Sequence, residues 1–203
     1  MECRTRIWFL SAIVVLALAS AAVTAHASEL KLSAADGEVA FEATGRPSAL
    51  RIRGTTHSLE GTIKSTAAGL TGDVTVDLDS LDTGLKMRNE HMKKKYLETP
   101  KFPKAQLHIA KVGEFKQGGK VAVGSFPFEG TLKLHGVEKA ITGVVELKAV
   151  RADAALPIIA TFTISIKDFG INTPSFAGIT VTDTVNVKVD ALARGLAGAD
   201  TPL

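Results

Sequence analysis

The feature that most limits how this chain can fold is a period-two alternation of apolar and polar residues that recurs along its length. Leu70, Gly72, Val74, Val76 and Leu78 alternate with Thr71, Asp73, Thr75 and Asp77. Such a run is a strand with one face buried and the other wet, as in antiparallel sheets. The same pattern marks Val39 to Ala43, Leu50 to Gly54 and Leu59 to Ile63. It returns in Leu107 to Ile109, Phe126 to Leu134, Ile141 to Ala149, Ala160 to Ile166 and Val185 to Ala191. That makes eight or nine strands. Many short strands at even spacing predict a sandwich or a closed barrel. The long runs near Leu70 and Phe126 favour closure, which removes the exposed edges of a sheet. Gly54, Gly61, Gly72, Gly130 and Gly143 fall on the apolar faces, where glycine relieves crowding in a curved sheet.

One segment breaks the alternation. In Thr83 to Pro103, TGLKMRNEHMKKKYLETPKFP, Arg88, Met92 and Tyr96 share a stripe at helical spacing while Lys93, Lys94 and Lys95 fan outward. The expected element is a short amphipathic helix over Leu85 to Leu97, its Met92 and Tyr96 buried against the barrel. Pro100 and Pro103 close it.

The first 27 residues are set apart by composition. Arg4 and Arg6 precede the apolar run Ile7 to Ala19, and Ala25-His26-Ala27 has the small-x-small form of a signal-peptidase site. The expectation is a signal peptide over 1–27 cleaved after Ala27, and one barrel domain over 28–203 exported to the periplasm. Cleavage removes the only cysteine, Cys3, and the only tryptophan, Trp8. Disulfides, cysteine nucleophiles and thiolate metal sites are then excluded. Residues 28–203 hold 22 Lys and Arg against 20 Asp and Glu, an excess too small and dispersed to indicate a nucleic-acid partner.

Enzymatic signatures are missing. The chain has no GxSxG, HExxH, P-loop or GxGxxG opening a helix after a strand. His57, His91, His108 and His135 show neither HxH nor HxxxH spacing, so no residue is assigned as catalytic or as a metal ligand, and no cofactor is expected. Arg88 and His91, at i and i+3, could face a ligand head group together. Alternatively Arg88 pairs with Asp82 or Glu90 as a structural anchor.

TGLKMRNEHMKKKYLETPKFPKAQL, Gly130 to Val137 and Lys167-Asp168-Phe169-Gly170-Ile171, taken in that order, resemble the YceI family of periplasmic, lipocalin-like polyisoprenoid-binding proteins. Asn89 stands where the family usually has an aspartate, and Tyr96 where it often has a phenylalanine. The resemblance implies an all-β, eight-stranded antiparallel lipocalin-like barrel with one helix in mid-chain. It also implies a non-enzymatic carrier that holds a long isoprenoid lipid or isoprenoid quinone in an apolar pore. On the alternation, the pore-lining candidates are Phe41, Ile52, Val74, Met92, Phe126, Phe128, Leu132, Phe162 and Ile164. Arg88 and His91 are the head-group candidates. The implied partner is an amphiphilic lipid, with transient membrane or membrane-protein contact and a homodimer both compatible. The alternative is a ligand-free structural or stress-related interaction module on the same barrel.

Overall fold

The computed structural model describes residues 28–46, 50–66, 69–112, 116–117, 120–121, 123–176 and 179–195. The expected signal peptide, residues 1–27, lies outside them. Ten strands carry the fold: β1 (Ser28–Leu32), β2 (Gly37–Arg46), β3 (Leu50–Thr56), β4 (Leu59–Thr66), β5 (Gly69–Asp77), β6 (Lys104–Val112), β7 (Gly124–Leu134), β8 (Val137–Leu147), β9 (Ala155–Ser165) and β10 (Ile179–Gly195). Two-residue strands at Lys116–Gln117, Lys120–Val121 and Ser175–Phe176 are accessory. All pairings between the ten are antiparallel.

The sheet closes into an eight-stranded antiparallel barrel in the order β1, β4, β5, β6, β7, β8, β9, β10 and back to β1. Closure depends on the length of β10. Its one edge pairs with β9 from Ser165↔Thr184 to Ala155↔Arg194. Its other edge pairs first with β2, from Thr180 to Ala191, and then with β1 at Leu30↔Gly195 and Lys31↔Arg194. The eight-strand ring is therefore complete at the end where β1 sits. At the other end the β2–β3 hairpin takes the place of β1 beside β10. This division of one long edge between two partners leaves the second end less tightly shut. The sequence count of eight or nine strands missed β1, whose five residues are too few to display an alternation.

Tight turns follow from local chemistry. β7 and β8 are joined at His135-Gly136, with φ of 51° and 77°. A two-residue hairpin of type I′ needs positive φ at both positions, and Gly136 accommodates this without a Cβ penalty. His135 is held there by three contacts. Its Nδ1 lies 3.1 Å from the Phe169 carbonyl, its Nε2 lies 3.1 Å from a Glu98 carboxylate oxygen, and its ring packs at 4.6 Å from Phe102.

Packing differs sharply between the two ends. At the β1 end Leu147 and Leu156 are fully buried and Phe128 nearly so, with Leu30, Leu70, Val112 and Val145 around them. Phe128 meets Phe162 edge-on, centroids 6.1 Å apart. Gly143 makes room for that ring, since a Cβ there would stand 2.5 Å from both the Phe128 ring and the Thr161 carbonyl oxygen.

An ionic clamp spans the seam of this end. Arg194, opposite Lys31 on one side and Ala155 on the other, donates two 3.1 Å hydrogen bonds to Asp36 and one of 3.1 Å to Asp153. The Arg194 hydrogen bonds hold both carboxyls below the usual aspartate range, with Ser33 adding to the effect on Asp36. Because the folded-state values are depressed, the contribution is present above the ordinary aspartate value and is lost as pH falls through the folded one. Arg194→Met should therefore lower the denaturation midpoint at neutral pH. The gap to the unsubstituted protein should close in acid, once both aspartates are protonated in either protein. A gap independent of pH would show that the clamp is not electrostatic.

Candidate functional site

At the looser end the core gives way to a cavity of about 720 Å³. This lies within the range of ~300–1,000 Å³ typical of pockets that enclose small ligands. The alternation places its walls: Val39, Phe41 and Ala43 come from β2, Val74 and Val76 from β5, and Leu107 from β6. Leu132 and Leu134 follow from β7, Phe162 and Ile164 from β9, and Val185, Val187 and Val189 from β10. Gly54 on β3 stands opposite Phe41, and a Cβ there would fall 2.4 Å from the Phe41 ring. Its absence lets that ring lie against the strand.

The mouth is framed by the helical segment between β5 and β6. An α-turn, α1 (Lys86–His91), runs directly into a π-turn over Met92–Tyr96, marked by the Leu97 N–H donating to the Met92 carbonyl at 2.8 Å. Wide turns of this kind often occur at functional sites. Met92 and Tyr96 face the cavity and pack against the core, yet both are only half-buried. The sequence expectation that they are buried fails because the surface they cover is a hollow and not a filled core. The Tyr96 hydroxyl accepts a hydrogen bond from the Ser175 backbone N–H at 3.3 Å, tying the helix to the far rim.

Anchoring of the helix differs from the ion pair that the sequence offered for Arg88. Its guanidinium donates from Nε to Thr83 Oγ1 at 2.8 Å and from a terminal nitrogen to the Thr83 carbonyl, so it pairs with neither Asp82 nor Glu90. Asn89 takes the central place. Its Oδ1 accepts from the Thr83 N–H at 2.8 Å and from the Thr83 hydroxyl at 2.6 Å, while its Nδ2 donates to Asp82 Oδ1 at 2.7 Å. That donation is the main reason the Asp82 carboxyl is held below its usual range, with the Gly84 N–H next. Asp82 in turn exchanges backbone hydrogen bonds with Thr55 on β3 at 2.8 and 2.9 Å. An amide can accept from Thr83 and donate to Asp82 at once, which a carboxylate cannot. Asn89→Ala removes all three bonds and should cost about 1 to 3 kcal/mol. Hydrogen exchange should show the loss concentrated at residues 83–91, and protection unchanged there would refute this anchor.

Of the residues singled out by alternation, Phe41, Ile52, Val74, Met92, Leu132, Phe162 and Ile164 lie on the cavity wall, as do Arg88 and His91 at the mouth. Phe126 and Phe128 do not. They share the inward face of β7 with Leu132, but nearer the closed end, where Phe128 is 2% exposed and packs beneath Phe162. Alternation identifies the inward face but not the depth along the barrel axis. It also missed Leu81, Ile171 and Pro174, which reach the cavity from turns where no period-two signal exists, whereas Ile166, at the end of the Ala160 run, is inward by the same parity and lines the cavity too. Ile171 ends the Lys167-Asp168-Phe169-Gly170-Ile171 motif, the one cue that could have placed it. Among the described residues no three His, Cys, Asp or Glu side chains converge as a metal-binding group.

The same architecture recurs in solved structures. BcnA of Burkholderia cenocepacia superposes with a TM-score of 0.64 at 18% identity, covering 80% of this chain and 98% of that one. A polyisoprenoid binding domain from Saccharophagus degradans, described as implicated in plant cell wall breakdown, gives 0.63 at 19%, covering 84% and 100%. The YCEI protein of Campylobacter jejuni gives 0.53 at 19%, covering 71% and 86%. At such identities the likeness is one of fold. No curated protein sequence matches the chain. Residues 30–193, from the middle of β1 nearly to the end of β10, match the YceI-like domain, and the chain belongs to that family.

Proposed function

We propose that the protein is a non-enzymatic, periplasmic carrier of a long-chain isoprenoid-type lipid, a polyisoprenoid or an isoprenoid quinone, held in the barrel cavity. The observation that carries the reading is the contrast within one barrel: a closed end packed solid, and an open end enclosing about 720 Å³ behind apolar walls. Each methylene that enters such a space gains about 0.8 kcal/mol, so a long chain needs few polar contacts to bind. The polar groups at the mouth suit a small head group. Arg88 and His91 are its candidate contacts, and Phe41, Ile52, Val74, Met92, Leu132, Phe162 and Ile164 are the candidate wall. The polyisoprenoid binding named for the Saccharophagus relative supports the ligand class.

The test is organic extraction of the exported protein, its mass checked for loss of residues 1–27, followed by mass spectrometry of the extract. The expected result is an isoprenoid lipid near one per chain. Protein that never carries lipid would overturn the carrier and leave the ligand-free interaction module.

A further inference from the structure

The open end combines two properties that a water-facing surface ordinarily keeps apart. Leu50, Leu85 and Met87 line the cavity and yet are 44%, 58% and 64% exposed. They form a rim of large apolar side chains continuous with the apolar interior. Contiguous exposed apolar surface of this kind marks an interaction site.

Charge is concentrated at the same place. Between Asp77 and Lys104 there are seven Lys and Arg against five Asp and Glu, an excess carried by Lys93, Lys94 and Lys95 on the helix, whereas the rest of residues 28–203 has 15 against 15. Lys86 lines the mouth itself, and Lys94 and Lys95 are exposed. Lys95 extends its ammonium to 5.5 Å from the centre of the ring of Tyr96, which also lines the cavity. On the adjoining hairpin, Glu42 is already neutralised by Arg53 at 2.6 Å and Arg51 at 3.8 Å. Apolar side chains flanked by lysines match the boundary between anionic head groups and acyl chains. A second copy of this chain would instead bring two basic helices face to face. Among the described residues no helix is long and apolar enough to cross a membrane.

We propose that the open end docks on an anionic lipid bilayer, with Leu50, Leu85 and Met87 in the head-group boundary and Lys86 and Lys93 to Lys95 on the lipid phosphates. The cavity then opens onto the acyl layer, and a lipid passes between the two without crossing water. This deepens the carrier reading and rests on it for what passes, but docking is measurable on vesicles that contain no isoprenoid.

The probe is Met87→Trp in the exported protein, where loss of Trp8 makes it the only indole. Adding vesicles of phosphatidylglycerol mixed with phosphatidylcholine should shift its emission to the blue, and vesicles of phosphatidylcholine alone should do so far less. Changing Lys93, Lys94 and Lys95 together to Glu in that background should weaken vesicle binding about tenfold or more, as should added salt. A tryptophan at exposed Lys148, beside the closed end, should not respond. No shift at Met87→Trp, an equal response to neutral vesicles, or an equal response from Lys148→Trp would each overturn the proposal. So would a concentration-dependent shift without vesicles, which would assign the rim to self-association. Lipid found on extraction without docking would sink this inference alone, and docking without extractable lipid would sink the carrier alone.

Discussion

Protein carrying Val74→Trp is expected to fold and to lose its lipid. Val74 sits midway along β5 on the cavity wall, opposite Gly61 on β4 and Leu107 on β6. An indole directed into a cavity of about 720 Å³ has space that a filled core would deny it. Unfolding of the delipidated variant should therefore lie within about 1 kcal/mol of the parent, while copurified lipid falls roughly tenfold. Delipidation matters because bound lipid itself raises apparent stability by mass action. The new indole is also a reporter, since residues 28–203 contain no tryptophan of their own. A delipidated variant destabilised by about 1 to 3 kcal/mol or more would indicate off-rotamer strain in a packed interior and count against the cavity.

The opposite end should respond in the opposite way. Phe128 is 2% exposed, wedged against the gap left by Gly143 and beneath Phe162. Phe128→Ala should cost about 3 to 5 kcal/mol, the range for a large aromatic removed from a core that cannot collapse around the void. For a domain of this size that is a fall in Tm on the order of 10 °C. Lipid retention should change far less than in Val74→Trp, because Phe128 lies outside the cavity wall. A loss below about 1 kcal/mol in denaturant unfolding would show that the closed end is not packed as described. The two variants together separate cavity from core within a single barrel.

Much of this was legible in the residues. Period-two alternation gave the antiparallel strands and their inward faces, because side-chain direction in a strand is fixed by parity alone. The helix was legible from Arg88, Met92 and Tyr96 against Lys93 to Lys95, and the family from three ordered motifs. The neutral anchor at Asn89 was not legible. Its partners Thr83 and Asp82 belong to a turn whose path is fixed by the backbone bridge to Thr55, 27 residues earlier in sequence.

What the sequence determined by itself is local: strand, face, helix and turn, each set by a few neighbouring side chains. Only the tertiary structure decided depth. Phe128 and Leu132 are both inward on β7, yet one is packed core and the other lines a hollow. The difference arises from pairing far apart in the chain, where β10 passes from β2 to β1 along one edge and so closes one end of the ring more tightly than the other. Parity along a strand carries no information about which residues the opposite wall supplies, and packing density is a property of that meeting.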